Sequence, residues 1–461
     1  MNREQSKKYE IDMATGPLFS KMLLFTIPLI LSSILQLLFN AADMIVAGKF
    51  AGANALASIS ATSSLTNLIV NLFIGLSVGA NVLIAKYYGQ KDEKGISDTV
   101  HTAVMISIVS GAFLAGLGMI VARPLLLLME TPEDVIDGAV TYMRIYFAGM
   151  PVIMLYNFTS AILRAVGDTR RPLIYLSFAG LINVVLNLYC VIVLHIGVAG
   201  VAIATVVSQT ISAFLVLRAL VLYDGALKLV IKDLRINGRT LLQMLKIGLP
   251  AGLQGTLFSI SNVLIQSSIN SFGSAAMAGN AAAVNLEGFV YVGMNSFHHT
   301  SLSFTGQNYG RGEYKRIKKV LIYALFFTSF VGLLLGWSAY LLRYPLLSIY
   351  VRKEPNVDEI IGYGVIRMTV IMTTYFTCGT MDVLVGALRG LGHSILPMIS
   401  TLTCVCGLRI LWIYTVFKQF RSLEVLYASY PLSWMLATLV HIVSYIIVYS
   451  RIKKQLMSKG L

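Results

Sequence analysis

Charge is scarce in this sequence. Of its 461 residues only 12% are Asp, Glu, Lys or Arg, against 56% hydrophobic. A soluble domain carries about 25% charged residues, so this chain lacks the means to face water on all sides. Cysteine is scarce too. Cys190, Cys378, Cys404 and Cys406 lie in apolar stretches, with no CxxC pair and no His at metal-ligand spacing. That excludes a disulfide scaffold and a zinc module. His-Glu-x-x-His and Walker sequences are absent, and with them the usual signatures of a metalloprotease or an ATP-driven pump. The net charge of +15 suggests nucleic acid, but its placement does not. The basic residues are split among short loops and the aromatics sit inside apolar runs, whereas a nucleic-acid binder needs a continuous basic stripe. No enzyme, no cofactor and no nucleic-acid partner are expected.

What the chain has instead is apolar length. Its mean hydropathy is +0.75. Runs long enough to cross a bilayer, about 20 residues each, fall at 18–46, 53–84, 97–123, 137–163, 172–194, 198–222, 241–270, 277–307, 317–342, 359–388, 394–417 and 426–450. The segment Met1 to Pro17 is polar and runs into the first span without a small-residue cleavage site, so no removable signal peptide is expected. Taking loops alternately, one side holds 26 Lys and Arg and the other 7, with Arg144, Arg367 and Arg409 inside spans. The excess marks the cytoplasmic side. It puts both termini in the cytoplasm of a multi-pass plasma-membrane protein with an even number of spans.

Self-comparison shows an internal repeat. Leu163-Arg164, Gly167 and Pro172 recur as Leu388-Arg389, Gly392 and Pro397, the pattern LRxxGxxxxP at an offset of 225. Tyr88-Gly89 recurs as Tyr309-Gly310 at 221, and Pro28 and Asn40 recur as Pro250 and Asn262 at 222. The period spans six crossings, an even number, so both halves enter the membrane in the same sense, related by an axis along its normal. The expected fold is an all-α integral membrane protein of twelve transmembrane helices in two pseudo-symmetric six-helix bundles. Its segments are 1–17 (cytoplasmic), 18–222 (N-lobe), 223–240 (cytoplasmic linker), 241–450 (C-lobe) and 451–461 (cytoplasmic tail). Pro28 and Pro250 each remove a backbone hydrogen bond inside a span and should kink it.

With these residues the chain resembles the multidrug and toxic compound extrusion (MATE) transporters, particularly their DinF-like branch, over essentially its whole length. The paired hairpins, Asn40-Ala-Ala-Asp43 with Gly48 at the end of the first span, and Gly197, Gly200 and Thr205 in the sixth carry the likeness. It implies a cation-coupled antiporter that exports small amphiphilic, often cationic compounds by alternating access, acting as a monomer among membrane lipids. A lipid-linked precursor flippase of the same superfold is the alternative, since fold does not fix substrate.

Beyond the first two residues of each span, three acids lie inside: Asp43, Glu287 and Asp382. A carboxylate at such depth costs several kcal/mol unless it is protonated, paired or wet, so each is a functional candidate. The repeat counterpart of Asp43 at offset 222 is Ile265, so the architecture itself does not demand an acid there. The resemblance implies an N-lobe cation site completed by Asn-x-x-x-Asp in the fifth helix and a Thr in the sixth. Here these read Asn183, Asn187 and Thr205, with the two amides on one helix face. Asn187 stands where the family has a second acid. With one formal charge instead of two, Na+ at Asp43, Asn183, Asn187 and Thr205 should be weakened, while a proton remains served. H+ is the favoured coupling ion and Na+ the alternative.

Gln36, Asn40, Asn157, Gln254, Asn262, Glu287, Asp382 and Arg409 are expected to face a substrate cavity. Arg409, deep in the eleventh span, needs a partner, with Glu287 or Asp382 the obvious acids. Arg164 and Arg389 are expected to snorkel at the cytoplasmic ends of their helices. His101 and His441 should face neighbouring helices, and His298-His299 lacks metal spacing.

Overall fold

The structure, a computed structural model, describes residues 9–129, 131–351 and 356–458. Of the residues in the charge count, Arg3, Lys7, Lys8, Arg352, Lys353 and Lys459 lie outside it. The described chain is helical, with no strand among the described residues. It divides into two compact units. One comprises the residues up to Asp12 together with Leu23–Gly252, the other Met13–Met22 together with Leu253–Leu461.

The first unit holds most of α1 (Leu18–Val46), then α2 (Ala53–Gln90), α3 (Glu93–Leu128), α4 (Glu133–Ala148), α5 (Met150–Ala165), α6 (Arg170–Leu188) and α7 (Gly197–Val221), and the start of α8 (Gly238–Asn270). Helix α1 runs on through Pro28, where the hydroxyl of Ser32 donates to the Pro28 carbonyl at 2.8 Å. It ends in a π-helical turn, Ala47–Ala51, and α6 ends in another, Tyr189–Val193. The core of this unit gathers Leu114, Met143, Phe147 and Met150, none of them exposed.

The second unit holds the rest of α8, then α9 (Ser274–Arg311), α10 (Tyr314–Leu341), α11 (Arg343–Val351), α12 (Val357–Thr374), α13 (Phe376–Gly390), α14 (Ile395–Thr401), α15 (Leu408–Tyr414), α16 (Val416–Gln419) and α17 (Leu423–Ser458). A third π-helical turn, Leu402–Gly407, joins α14 to α15. Met294, Met368, Met372 and Tyr427 lie at the centre of its core. The segment Met13–Met22 is bound into this unit: the Met13 N–H donates to Gln307 at 3.3 Å, and Asn308 and Arg316 donate to the Met13 carbonyl.

Eight helices are long and apolar enough to cross a membrane among the described residues, and ten spans result if each bent pair counts as one. The two further long helices, α8 and α9, are 33 and 38 residues but carry too many amide, hydroxyl and histidine side chains to match the others in hydropathy. The fourth and tenth spans, expected as single helices at 137–163 and 359–388, are each broken. Helices α4 and α5 meet at 49°, and α12 and α13 at 47°. In the first case Gly149 and Pro151 interrupt the ladder, because proline supplies no N–H. In the second there is no proline. Instead Thr369, Thr373 and Thr374 donate hydroxyls to carbonyls four residues back at 2.7–2.8 Å, a competition with the helix that bends it.

The repeat is visible in the turns. Gly167 and Gly392 take φ of +93° and +84°. Each turn makes the same two backbone bonds, Gly167 and Asp168 N–H to Arg164 and Leu163 carbonyls, Gly392 and His393 N–H to Arg389 and Leu388. Gly52 and Gly273, before α2 and α9, have φ of +93° and +98°, a region open to glycine and strained for other residues.

Candidate functional site

Asp43 lies three residues before the end of α1 and is only 8% exposed. Asn183 and Asn187, four apart on α6, turn the same way. Asn187 Nδ2 donates to Asp43 Oδ1 and, at 3.2 Å, to Asn183 Oδ1. From α7, Thr205 Oγ1 reaches Asp43 Oδ2 at 3.1 Å and the Val201 carbonyl at 3.0 Å. The four residues assigned to a cation site therefore meet around one carboxyl group. No cationic side chain pairs with Asp43 among the described residues; all its partners are neutral.

The hydrogen count is informative. A hydroxyl has one hydrogen, so Thr205 can donate to Val201 or to Asp43, not to both. When it serves Val201, the contact with Asp43 is satisfied by a proton on Oδ2. When it serves Asp43, the carboxylate is accommodated. The same side-chain positions hold either protonation state. Sodium fits less well. Asn187 points its nitrogen at the acid, and its own Oδ1 is buried without a partner. The Asn187 amide would have to turn over to offer that oxygen to a cation that wants several. Groups of three or more His, Cys, Asp or Glu side chains able to hold a metal do not occur among the described residues.

This carboxyl opens on a cavity of about 230 Å³ within the first unit. Gln36, Asn40 and Asn157, expected to face a cavity, line it. So do Asn67, Asn71, Ser208, Gln209 and Ser212, which were not anticipated. Their signal was in the sequence: Asn67 and Asn71 are four apart, as are Ser208 and Ser212, in otherwise apolar runs, the spacing of one helix face.

The remaining expected residues fall in separate clusters of the second unit. Glu287 on α9 is held by Arg367 on α12 through two parallel bonds, Nε to Oε1 at 2.6 Å and Nη2 to Oε2 at 2.7 Å. Arg367 also donates to Asn280, which accepts from Tyr427. Asp382 accepts from Tyr291 at 3.2 Å and Asn295 at 3.4 Å. Arg409 has neither acid as partner, contrary to expectation. It donates to Ser433 and Asn262 and lies over Tyr430, 4.1 Å from the ring centroid, with Phe258 and Trp434 beside it. Delocalised charge over aromatic faces is a known substitute for a carboxylate. Arg389 does not snorkel. It is buried and donates to Gln254, which donates to Thr401, itself in contact with His441. His101 bonds the segment between α7 and α8, accepting from the Val230 N–H at 3.1 Å.

Comparison with known proteins accords with this architecture. The MatE family model matches residues 28–189 and 250–415. The probable multidrug resistance protein YoeA of Bacillus subtilis is 27% identical over 432 residues, 91% of each chain. YpnP of the same organism, also a probable multidrug resistance protein, is 29% identical over 66% of this chain and 68% of its own. Among solved structures, a MOP-superfamily transporter from Pyrococcus furiosus superposes with a TM-score of 0.89 at 21% identity, covering 96% of this chain and 98% of that one. Members of this family are multi-pass membrane transporters, not enzymes. The two blocks matched by the family model begin at Pro28 and Pro250, the pair already related by the repeat, and on that match this chain belongs to the multidrug and toxic compound extrusion family.

Proposed function

We propose that the protein is a proton-coupled antiporter of the plasma membrane, exporting small amphiphilic, often cationic solutes by alternating access, with both termini in the cytoplasm. The observation that carries this reading is Asp43: a carboxyl group 8% exposed, inside a span, surrounded by Asn187, Thr205 and Asn183 and, among the described residues, paired with no positive charge. An isolated charge at that depth costs several kcal/mol, so a proton or a cationic solute has a strong reason to bind. Each excludes the other, and a carrier needs only that the two occupants favour different states. The names of the YoeA and YpnP relatives support drug-like cargo.

In proteoliposomes an imposed pH gradient is expected to drive a small organic cation against its concentration, and Asp43→Asn to abolish the drive while leaving a folded protein. Transport by Asp43→Asn that still follows the pH gradient would end this assignment. An imposed Na+ gradient at constant pH is expected to drive little. The flippase alternative needs free cationic groups for a pyrophosphate, and Arg367 is already committed to Glu287.

A further inference from the structure

Buried or half-buried carboxamides elsewhere in the protein are spoken for. Asn81 donates to the Ala161 carbonyl, Gln254 to Thr401, Asn280 to Gln266 and Asn308 to the Met13 carbonyl. This is the rule for polar groups withdrawn from bulk water. In the cavity of the first unit the half-buried Asn71 and Gln209 depart from that rule, beside the exposed Gln36, Asn40 and Asn67. Gln36 and Asn40 on α1, Asn67 and Asn71 on α2, and Gln209 on α7 all line it, and none has a hydrogen-bond partner among the described residues. Each offers two N–H donors and one carbonyl acceptor.

The rest of the wall reinforces the contrast. A lipophilic cation is recognised by open aromatic faces; of the three rings on this wall, Tyr156 is only 7% exposed and the other two are engaged. The ring of Phe39 is pressed against Gly180, and Tyr146 is stacked on Tyr142 with centroids 6.3 Å apart. The volume, about 230 Å³, is below the roughly 300–1,000 Å³ of a drug-sized site. One negative charge is available, from Asp43.

We infer that this cavity selects its solute through hydrogen bonds to the five unpaired carboxamides, accepting small monocations rich in hydrogen-bonding groups and discriminating against lipophilic cations of the same charge. Asn71 and Gln209, half-buried on α2 and α7, are the specificity-determining positions, because a bare hydrocarbon placed there leaves their amides desolvated and unpaired. A site built to hydrogen-bond rejects analogues that lack the group far more strongly than an apolar pocket rejects an added one. The inference rests on the cavity being the path of the exported solute, and it narrows the cargo proposed above.

The test uses two small probes in proteoliposomes of the full chain: the ring-N-methyl cation of isonicotinamide and that of gamma-picoline. They share ring, fixed charge and shape and differ by a carboxamide against a methyl group. Tetraphenylphosphonium serves as a third, larger and wholly lipophilic cation. Exchange is measured with equal pH on both sides, then with a pH gradient. The isonicotinamide cation is expected to exchange at least about tenfold faster than the other two, and Asn71→Leu and Gln209→Leu each to erase that preference by slowing it. The inference is overturned if the picoline cation or tetraphenylphosphonium keeps pace in the wild-type protein, if none of the three exchanges, or if both variants retain the wild-type ratio. The wild-type ratio decides even if a variant fails to fold. A preference seen at equal pH but no drive from the gradient would sink proton coupling and leave this inference standing.

Discussion

Under the proposed proton coupling, Asp43 and Asn187 together set what the site can bind. A proton needs one oxygen, while a desolvated sodium ion needs several and gains from every added charge. Asn187→Asp places a second carboxylate beside the first without lengthening the side chain. The variant is therefore expected to become responsive to an imposed Na+ gradient at constant pH, and the wild type to remain unresponsive, measured as substrate flux in proteoliposomes; a variant still indifferent to Na+ would mean that charge count is not what distinguishes the ions here. Glu287 shows the opposite economy. Its charge is spent on Arg367, and removing one partner of a buried pair leaves the other uncompensated, at about 3–5 kcal/mol. Glu287→Gln is expected to lower the melting temperature of the detergent-solubilised protein sharply, and Glu287→Gln with Arg367→Met to recover much of the loss. The two acids differ in how far the sequence reveals them. Asn183 and Asn187 are four apart on one face, a local pattern. Glu287 and Arg367 are 80 residues apart on different helices, and no local pattern links them. Arg409 was legible as a buried charge but not as one resting on rings, because Phe258, Tyr430 and Trp434 converge on it only in three dimensions.

At the level of helices, close approach is bought with glycine. Gly75 and Gly79 on α2 face Gly248 and Gly252 on α8, and a Cβ added at Gly75 or Gly252 would meet the opposing backbone. Small residues four apart on both partners allow this kind of contact inside a membrane. Backbone atoms have no rotamer to retreat into, so Gly75→Val is expected to separate the helices. The measurements are the melting temperature and transport by the same preparation, and both should fall. Gly116 on α3 has open space where its Cβ would stand, and Gly116→Ala should be neutral or stabilising by about 0.5–1 kcal/mol, since glycine inside a helix is entropically costly. Equal behaviour of the two variants would remove the packing argument. The helices themselves were easy to read from apolar length. Their interruptions were not. The break at Gly149 has a proline beside it, yet Pro28 and Pro250 sit inside α1 and α8, which continue through them. The break between α12 and α13 comes from threonine hydroxyls, whose effect depends on where they point.

For the whole chain, the duplication is the feature the sequence carried most clearly, since turns leave fixed marks. Gly167 and Gly392 share a sign of φ and a bonding pattern because the turn forbids most other residues there. Pairs that carry chemistry are free to diverge between the halves, as Asp43 and Ile265 do. Sidedness rests on a different kind of evidence, 26 basic residues against 7 in alternate loops, and orientation in the bilayer follows that excess. It assigns Asp233, in the segment before α8, to the cytoplasm and Asp137, on the first turns of α4, to the outside. Both are exposed, and the native cysteines are buried, so the background is low. In intact cells a membrane-impermeant maleimide is expected to label Asp137→Cys and to reach Asp233→Cys only after permeabilisation. The reverse order would invert the carrier. Asp43 lies towards the Asp137 end of its span, so inversion would also put the acid nearer the cytoplasm, where an inward proton gradient unloads it rather than loads it. The sidedness measurement therefore bears on the direction of export as well as on topology.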